Sequence, residues 1–185
     1  MSFKNIINVS FSTFLKEYEF VVKCESESFI EYEHNLFTIC FTYDLRNSFE
    51  VDVTFTEKNS DLFYSYKELK EILLKIDDDT FAFQAKDELA LQVWVNEVKN
   101  FLVKNLKVLI KNNSSIFNEL KKNSEKKSLE YFNTKEIDFF TKEFNNLWLN
   151  KEYVKLIKLS DKNFDKLQGI LKKKYEYSMK IIENK

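Results

Sequence analysis

The sequence predicts an α+β fold in which an N-terminal helix and a four-stranded antiparallel meander pack on helices, with an all-helical C-terminal half. Four consecutive short segments within residues 20–56 alternate apolar and polar side chains, which is the period of half-buried strands. Only short polar connections separate these segments, as expected of antiparallel neighbours. Beyond residue 84 the apolar side chains recur every three or four positions, which is typical of helices.

The N-terminal half carries one predicted helix and the four strands. Ser10 is predicted to cap a helix over Phe11–Tyr18, whose apolar residues form one stripe. The alternating segments predict strands over Phe20–Glu25, Ser28–His34, Leu36–Tyr43 and Ser48–Thr56. The connection Asp44–Asn47 is predicted to be a hairpin turn.

Side chains two positions apart on a strand lie on the same side of the sheet, so the alternation assigns two faces. We expect one face to point into the core, with Ile30, Tyr32, Phe37, Ile39, Phe41, Tyr43, Phe49, Val51, Val53 and Phe55. We expect the opposite face to carry Glu31, Glu33, Thr38, Cys40, Thr42, Glu50, Asp52 and Thr54. If the strands pair in chain order, carboxylates gather on this second face with few cations among them.

Helical spacing dominates the chain after the meander. A helix over Tyr66–Ile76 is followed by an acidic loop, Asp77–Thr80, and by an extended segment, Phe81–Phe83. Five further helices are predicted over Lys86–Lys111, Ile116–Lys127, Asn133–Trp148, Lys151–Leu159 and Asp161–Ile182, the last capped by Ser160. We therefore divide the chain into an α+β meander region, 1–83, and a helical region packed on it, 84–185.

The residue inventory excludes several classes of enzyme site. The chain has one Gly in 185 residues, Gly169, so Walker, Rossmann and protein-kinase phosphate loops and the Gly-x-Ser-x-Gly turn of hydrolases cannot form. His34 is the only imidazole, and we interpret it as a solvated or edge histidine at the end of a strand. We expect a protein that binds rather than catalyses.

Metal chemistry is weakly supported by the sequence. Cys24, His34 and Cys40 lack the Cys-x-x-Cys spacing of zinc sites, and a fourth ligand is not specified. The triplet Asp77–Asp79 leaves a magnesium site or carboxylate-pair hydrolysis open, although we interpret it as a solvated connection. We therefore predict no catalytic residues, no metal site and no cofactor.

The charges are distributed unevenly along the chain. Residues 1–98 hold 9 Lys and Arg against 19 Asp and Glu, whereas residues 99–185 hold 20 against 11. The two halves could attract each other within the fold, or the acidic half could present a binding face. The lysines of the basic half are spread over several helices and its aromatic residues have core spacing, so we do not expect nucleic-acid binding.

The sequence also bears on the compartment. Residues 1–10 show no basic region followed by an apolar run, and no stretch reaches the ~18 apolar residues of a membrane span. Two cysteines fit a reducing compartment, and we expect both to be free thiols. The prediction is a cytoplasmic protein that does not enter a membrane.

Parts of the chain resemble small bacterial proteins of immunity type, from polymorphic or contact-dependent toxin systems. The similarity lies in Phe14–Thr56, with Phe-Leu-Lys-Glu-Tyr-Glu-Phe, Phe-Ile-Glu-Tyr-Glu, Tyr-Asp-Leu-Arg and Phe-Glu-Val-Asp-Val, and in the helical run Leu147–Leu159. The resemblance implies a protein that neutralises a cognate toxin by occluding it, without a cofactor. The alternative is a phage or host regulatory protein that binds nucleic acid or protein through the lysine-rich half.

The predicted partner-binding residues are those of the acidic strand face and the adjacent turn: Glu31, Glu33, Asp44, Arg46, Glu50 and Asp52. An acidic face can occupy a site built for phosphates and is steered towards it electrostatically. Arg46 is the only arginine of the chain and lies in the predicted turn next to Asp44. It is either paired locally or an anchor for an acidic pocket of the partner.

Overall fold

The computed structural model describes residues 2–76 and 83–183. It confirms the α+β fold class, with an N-terminal helix, an antiparallel sheet in meander order and a helical C-terminal half. The chain forms two compact units, Met1–Lys122 and Asn123–Lys185. This division lies well beyond the predicted one between residues 83 and 84, because helices after residue 84 complete the core of the first unit.

The sheet of the first unit contains the four predicted strands and two short strands that were not predicted. Strands β1 to β5 pair with their neighbours in chain order, all antiparallel, and β6 pairs with the start of β4. The strands are β1 (Val21–Glu25), β2 (Phe29–Glu33), β3 (Phe37–Tyr43), β4 (Glu50–Glu57), β5 (Phe63–Ser65) and β6 (Phe83–Gln84). The two missed strands are three and two residues long, too short to show an alternating pattern.

The predicted core face is correct at nine of its ten positions. The exception is Phe49, which we expected to be buried; it is 36% exposed and precedes β4 in a left-handed conformation with φ of 56°. The left-handed residue interrupts the alternation, so the side chain leaves the core face. Strand β4 therefore begins at Glu50, two residues later than predicted.

Helix α1 (Phe3–Lys16) begins eight residues before the predicted helix. Ser2 is its N-cap and accepts a hydrogen bond from the Asn5 N–H, whereas Ser10 lies inside the helix. The apolar stripe extends back to the start of the helix, because Phe3, Ile6 and Ile7 are as buried as Phe11 and Leu15. The stripe packs on the core face of the sheet, where the Phe11 and Phe41 rings are 4.5 Å apart.

Two further helices, and Ile116, Phe117 and Leu120 of the helix after them, complete the first core. Helix α2 (Tyr66–Leu74) starts with a reciprocal capping box between Ser65 and Glu68. Helix α3 (Glu88–Lys111) is capped by Asp87, and eight of its apolar side chains are buried, which confirms the predicted central helix. The Trp94 ring of α3 meets Phe41 edge-on, with 6.5 Å between the ring centroids.

After α3 the described residues form three more α-helices, and their limits differ from the prediction. Helix α4 (Asn113–Leu149) is continuous over the two helices predicted for this region, since the residues between them include no Gly or Pro. Helix α5 (Tyr153–Lys162) continues through Ser160, which is buried and is not a cap, and a short 3₁₀ turn separates it from α6 (Gly169–Glu183). No helix among the described residues is long and apolar enough to cross a membrane.

The second unit has a small core of its own. Two phenylalanines of α4, Phe140 and Phe144, pack with Leu156 of α5 and Leu167, and all four side chains are buried. The Phe140 and Phe144 ring centroids are 5.9 Å apart. This core fixes the ends of α4, α5 and α6 relative to one another within the unit.

The core assignment is tested by two phenylalanines of the same sheet. Phe41 is fully buried, whereas Phe63 is 71% exposed. We expect Phe41→Ala to lower the free energy of unfolding by about 3–5 kcal/mol, since it removes a packed ring and leaves a cavity. Phe63→Ala should change it by less than about 0.5 kcal/mol. Urea denaturation followed by circular dichroism measures both, and equal losses would contradict the assignment.

Candidate functional site

One face of the sheet carries polar side chains that stay partly exposed among the described residues of the first unit. We call it the outer sheet face; it carries Glu31, Glu33, Thr38, Cys40, Thr42, Asp52, Thr54 and Thr56, and none of these residues is buried. Their positions follow from the register, which places Glu31 beside Cys40 and Thr42 beside Asp52 on neighbouring strands. The predicted polar face therefore exists, and it is accessible in the first unit.

Glu31 and Glu33 are not free carboxylates. The ammonium group of Lys23 lies 2.9 Å from Glu31, and that of Lys58 lies 3.3 Å from Glu33. Burial alone would raise the pKa of Glu31, but hydrogen bonds from Lys23 and Cys24 hold it below its ordinary value. The expectation of few cations on this face is wrong at these positions, because a bulge in β1 and the segment after β4 bring lysines to the face.

The other four predicted site residues lie together at the opposite end of the strands. Asp44 and Arg46 are in the β3–β4 turn, and Glu50 and Asp52 begin β4. Asp52 is separated from Glu31 by a whole intervening strand, β3, and by two positions in the register. The structure thus divides the predicted site into a neutralised part on β2 and a second part around the turn.

The β3–β4 turn, residues 44–49, is fixed by one carboxylate. Asp44 accepts backbone hydrogen bonds from Arg46, Asn47 and Ser48 at 3.1–3.2 Å, and a fourth from the Ser48 hydroxyl at 3.0 Å. These bonds, first those from the Arg46 and Asn47 N–H groups, lower the pKa of Asp44. Asp44 therefore fixes the backbone of the turn to which it belongs.

Three large side chains of this turn are exposed on the fixed backbone. Leu45 is 46% exposed, Arg46 is exposed, and Phe49 keeps 36% of its surface in solvent. The backbone N–H of Arg46 bonds to Asp44, but its guanidinium forms no ion pair with any carboxylate that the structure describes. Arginine, aromatic and aliphatic side chains together form the kind of anchor that protein interfaces use.

Carboxylates surround this end of the first unit. A cavity of about 250 Å³ beside Leu45 is lined by Glu27, Asp87 and Glu88, together with Ser2, Phe3, Tyr43 and Leu91. These three acidic residues were not predicted as site residues, and neither were Leu45 and Phe49. They come from separate connections that lie close together only in the folded chain. We call the β3–β4 turn with Glu27, Glu50, Asp52, Asp87 and Glu88 the acidic end.

Among the carboxylates of the acidic end, that of Asp52 has a pKa above its ordinary value. Burial raises its pKa, and the charges of Glu68 and Glu50 raise it further. The hydrogen bond that Asp52 accepts from the Val53 N–H opposes this shift. The carboxylate therefore lacks a cation and would gain one from a basic partner.

His34 is buried, which corrects the expectation of a solvated or edge histidine. It is 7% exposed and stacks on Phe20 at 4.9 Å, with Phe37 at 5.9 Å on its edge. Its Nδ1 accepts the Leu36 N–H at 3.3 Å, and burial lowers its pKa, although Glu19 opposes this shift. The ring is thus part of the aromatic core.

Both cysteines are free, as expected, and they flank Glu31 on the outer sheet face. The Cys24 thiol donates to Glu31 at 3.2 Å, and this hydrogen bond raises its pKa. Burial raises the pKa of the Cys40 thiol to about 11, with the charge of Glu31 adding to the shift. Neither thiol is activated for nucleophilic attack near neutral pH.

The proposed zinc and magnesium ligands receive no support from the described residues. Among residues 2–76 and 83–183, no group of three His, Cys, Asp or Glu side chains could hold a metal ion. The triplet Asp77–Asp79 lies outside the residues that the structure describes.

Comparison of the chain with protein-family models, with curated proteins and with solved structures found no match. The resemblance to immunity proteins therefore stays a prediction, and the functional argument depends on the geometry of the chain itself.

The environment of Cys40 gives a testable pH dependence. Only the thiolate is alkylated, so in a Cys24→Ser variant the rate of reaction with iodoacetamide should rise about tenfold per pH unit from neutral pH without levelling off below about pH 10. The same variant in denaturant should level off near the ordinary thiol pKa of about 8.5. A plateau near that value in the folded protein would show that Cys40 is not buried as described.

Proposed function

We propose that this protein is a non-catalytic protein-binding module that occludes a basic surface of a partner through its acidic end. A cognate bacterial toxin, such as one whose active site binds phosphates, is the kind of partner that the immunity-type resemblance implies. The observation that carries the proposal is the exposure of Leu45, Arg46 and Phe49 on a turn that Asp44 holds rigidly.

Rigidity of the turn supports a binding role in energetic terms. A mobile loop loses conformational freedom when it binds, at a cost of roughly 0.5–1.5 kcal/mol for each immobilised side chain, besides the backbone cost. The four hydrogen bonds of Asp44 fix the backbone before any partner arrives. The left-handed conformation of Phe49 also carries a small strain, which is common at functional sites.

The charge pattern specifies the chemistry of the partner. Glu27, Asp87 and Glu88 line the cavity beside Leu45, and Glu50 and Asp52 lie at the start of β4 next to the turn. Burial raises the pKa of Asp52, and the negative charges of Glu68 and Glu50 raise it further. A partner with lysines or arginines around an apolar pocket would relieve the repulsion among these charges, and such complementarity raises association rates most at low salt.

The proposal is tested by retention of partners from a lysate of the native cell. We expect the tagged wild-type chain to retain a basic protein that a Leu45→Ala/Phe49→Ala variant loses, because the variant removes both exposed apolar contacts of the turn without changing its charge. Loss should be at least about tenfold, since central interface residues often contribute 2 kcal/mol or more.

A matched control distinguishes a local effect from a general one. Ile170→Ala/Phe139→Ala makes the same types of change at exposed positions of the second unit. It should retain the partner at the wild-type level. Equal retention by the turn variant and the wild type, or equal loss in both variants, would refute the proposed site.

A further inference from the structure

The second unit contains a groove that combines aromatic rings with lysines. A cavity of about 500 Å³ is lined by Trp148, Leu149, Lys151, Tyr153, Lys173, Lys174 and Tyr177. The rings come from the end of α4, the first residue of α5 and the middle of α6. Its volume is within the ~300–1,000 Å³ of small-molecule sites. We call it the aromatic–lysine groove.

The rings are arranged around the indole of Trp148. The ring centroids of Tyr153 and Tyr177 lie 5.8 and 5.7 Å from it, at angles of 65° and 64°. Lys174 Nζ lies 5.4 Å from the indole centroid and donates to Asn145 at 2.9 Å, so this lysine is held in place. Tyr177 remains 54% exposed and offers a ring face to a ligand.

The charge of the groove is positive. Lys151 and Lys173 are exposed, and neither forms an ion pair with a carboxylate that the structure describes. Residues 123–185 hold 14 Lys against 10 Asp and Glu, so the surroundings do not neutralise them.

A second cavity of the same unit differs in this respect. It has a volume of about 440 Å³, and its lysine, Lys166, is 2.6 Å from the carboxylate of Glu136. Asp165 also lines it. The aromatic–lysine groove differs from this cavity because its exposed lysines form no ion pair with a described carboxylate and lie beside aromatic rings.

We propose that the aromatic–lysine groove binds single-stranded nucleic acid, with a base stacked on Tyr177 and the flanking phosphates on Lys151 and Lys173. Alternating planar bases and phosphates match alternating rings and ammonium groups, which is how sequence-tolerant single-strand sites are built. An acidic peptide would satisfy the lysines but would leave the rings without a planar partner. This inference is independent of the protein-binding role of the acidic end.

Fluorescence anisotropy with fluorescein-labelled oligothymidylate tests the proposal on the full chain. Lys151→Glu/Lys173→Glu should weaken binding at least about tenfold, through loss of the phosphate contacts. Tyr177→Ala should weaken it roughly five- to hundredfold, through loss of stacking. Two phosphate contacts predict a slope of about −1.4 for log affinity against log salt concentration.

The matched control is Lys158→Glu/Lys162→Glu. These two exposed lysines of α5 lie on the side of the helix away from Tyr153, and the charge change is the same. The control should bind as the wild type does within about twofold. Equal weakening by both lysine pairs, or no effect of Tyr177→Ala, would mean that only general positive charge acts, and would overturn the proposal.

Two further readouts identify the ligand. Trp94 is buried in the first core, so a Trp94→Phe variant reports on Trp148 alone, and its emission should be quenched by oligothymidylate but not by poly-glutamate. Binding of poly-glutamate with equal affinity, or an absence of oligothymidylate binding at low salt, would overturn the proposal. Thymidine monophosphate should compete only weakly, because a single unit uses one stacking position and one phosphate.

Discussion

Phe41 lies between the sheet and two of the helices on its core face, in contact with Phe11 of α1, Tyr32 of β2 and Trp94 of α3. This aromatic packing requires strict alternation along β2, β3 and β4, because each ring on the core face must be followed by a side chain on the other face. The helices of the first unit therefore pack on one layer of aromatic side chains. The opposite face is consequently left with threonines, carboxylates and two weakly acidic thiols.

The same constraint explains where the acidic end is. Antiparallel strands that pair in chain order place the β1–β2 and β3–β4 connections at one end of the sheet, and α3 begins there with Asp87. Side chains in these connections cannot join the core, so Leu45 and Phe49 stay exposed, and Glu27 and Glu88 remain on the surface. The hydrogen bonds of Asp44 then fix the backbone of this exposed connection. The turn therefore offers a preorganised surface for binding, and not an adaptable loop.

The sequence predicted the parts that depend on local periodicity. Strands β2, β3 and β4 were located to within two residues, and the core face failed only at Phe49, where one left-handed residue breaks the pattern. Helix limits were less predictable, because Ser10 and Ser160 have cap-forming side chains but lie inside helices that packing extends. The pairing of Glu31 with Lys23, the carboxylates of the acidic end and the aromatic–lysine groove all depend on residues from separate elements. Their contacts follow from tertiary packing, which no local pattern records.

Site-specific photo-cross-linking in the native cell measures directly whether the β3–β4 turn contacts a protein partner. A photoreactive phenylalanine analogue in place of Leu45 should give one discrete cross-linked product containing a basic protein. The same analogue in place of Ile170, which is also exposed, should not give that product. Absence of the product at position 45, or the same product from both positions, would contradict the account.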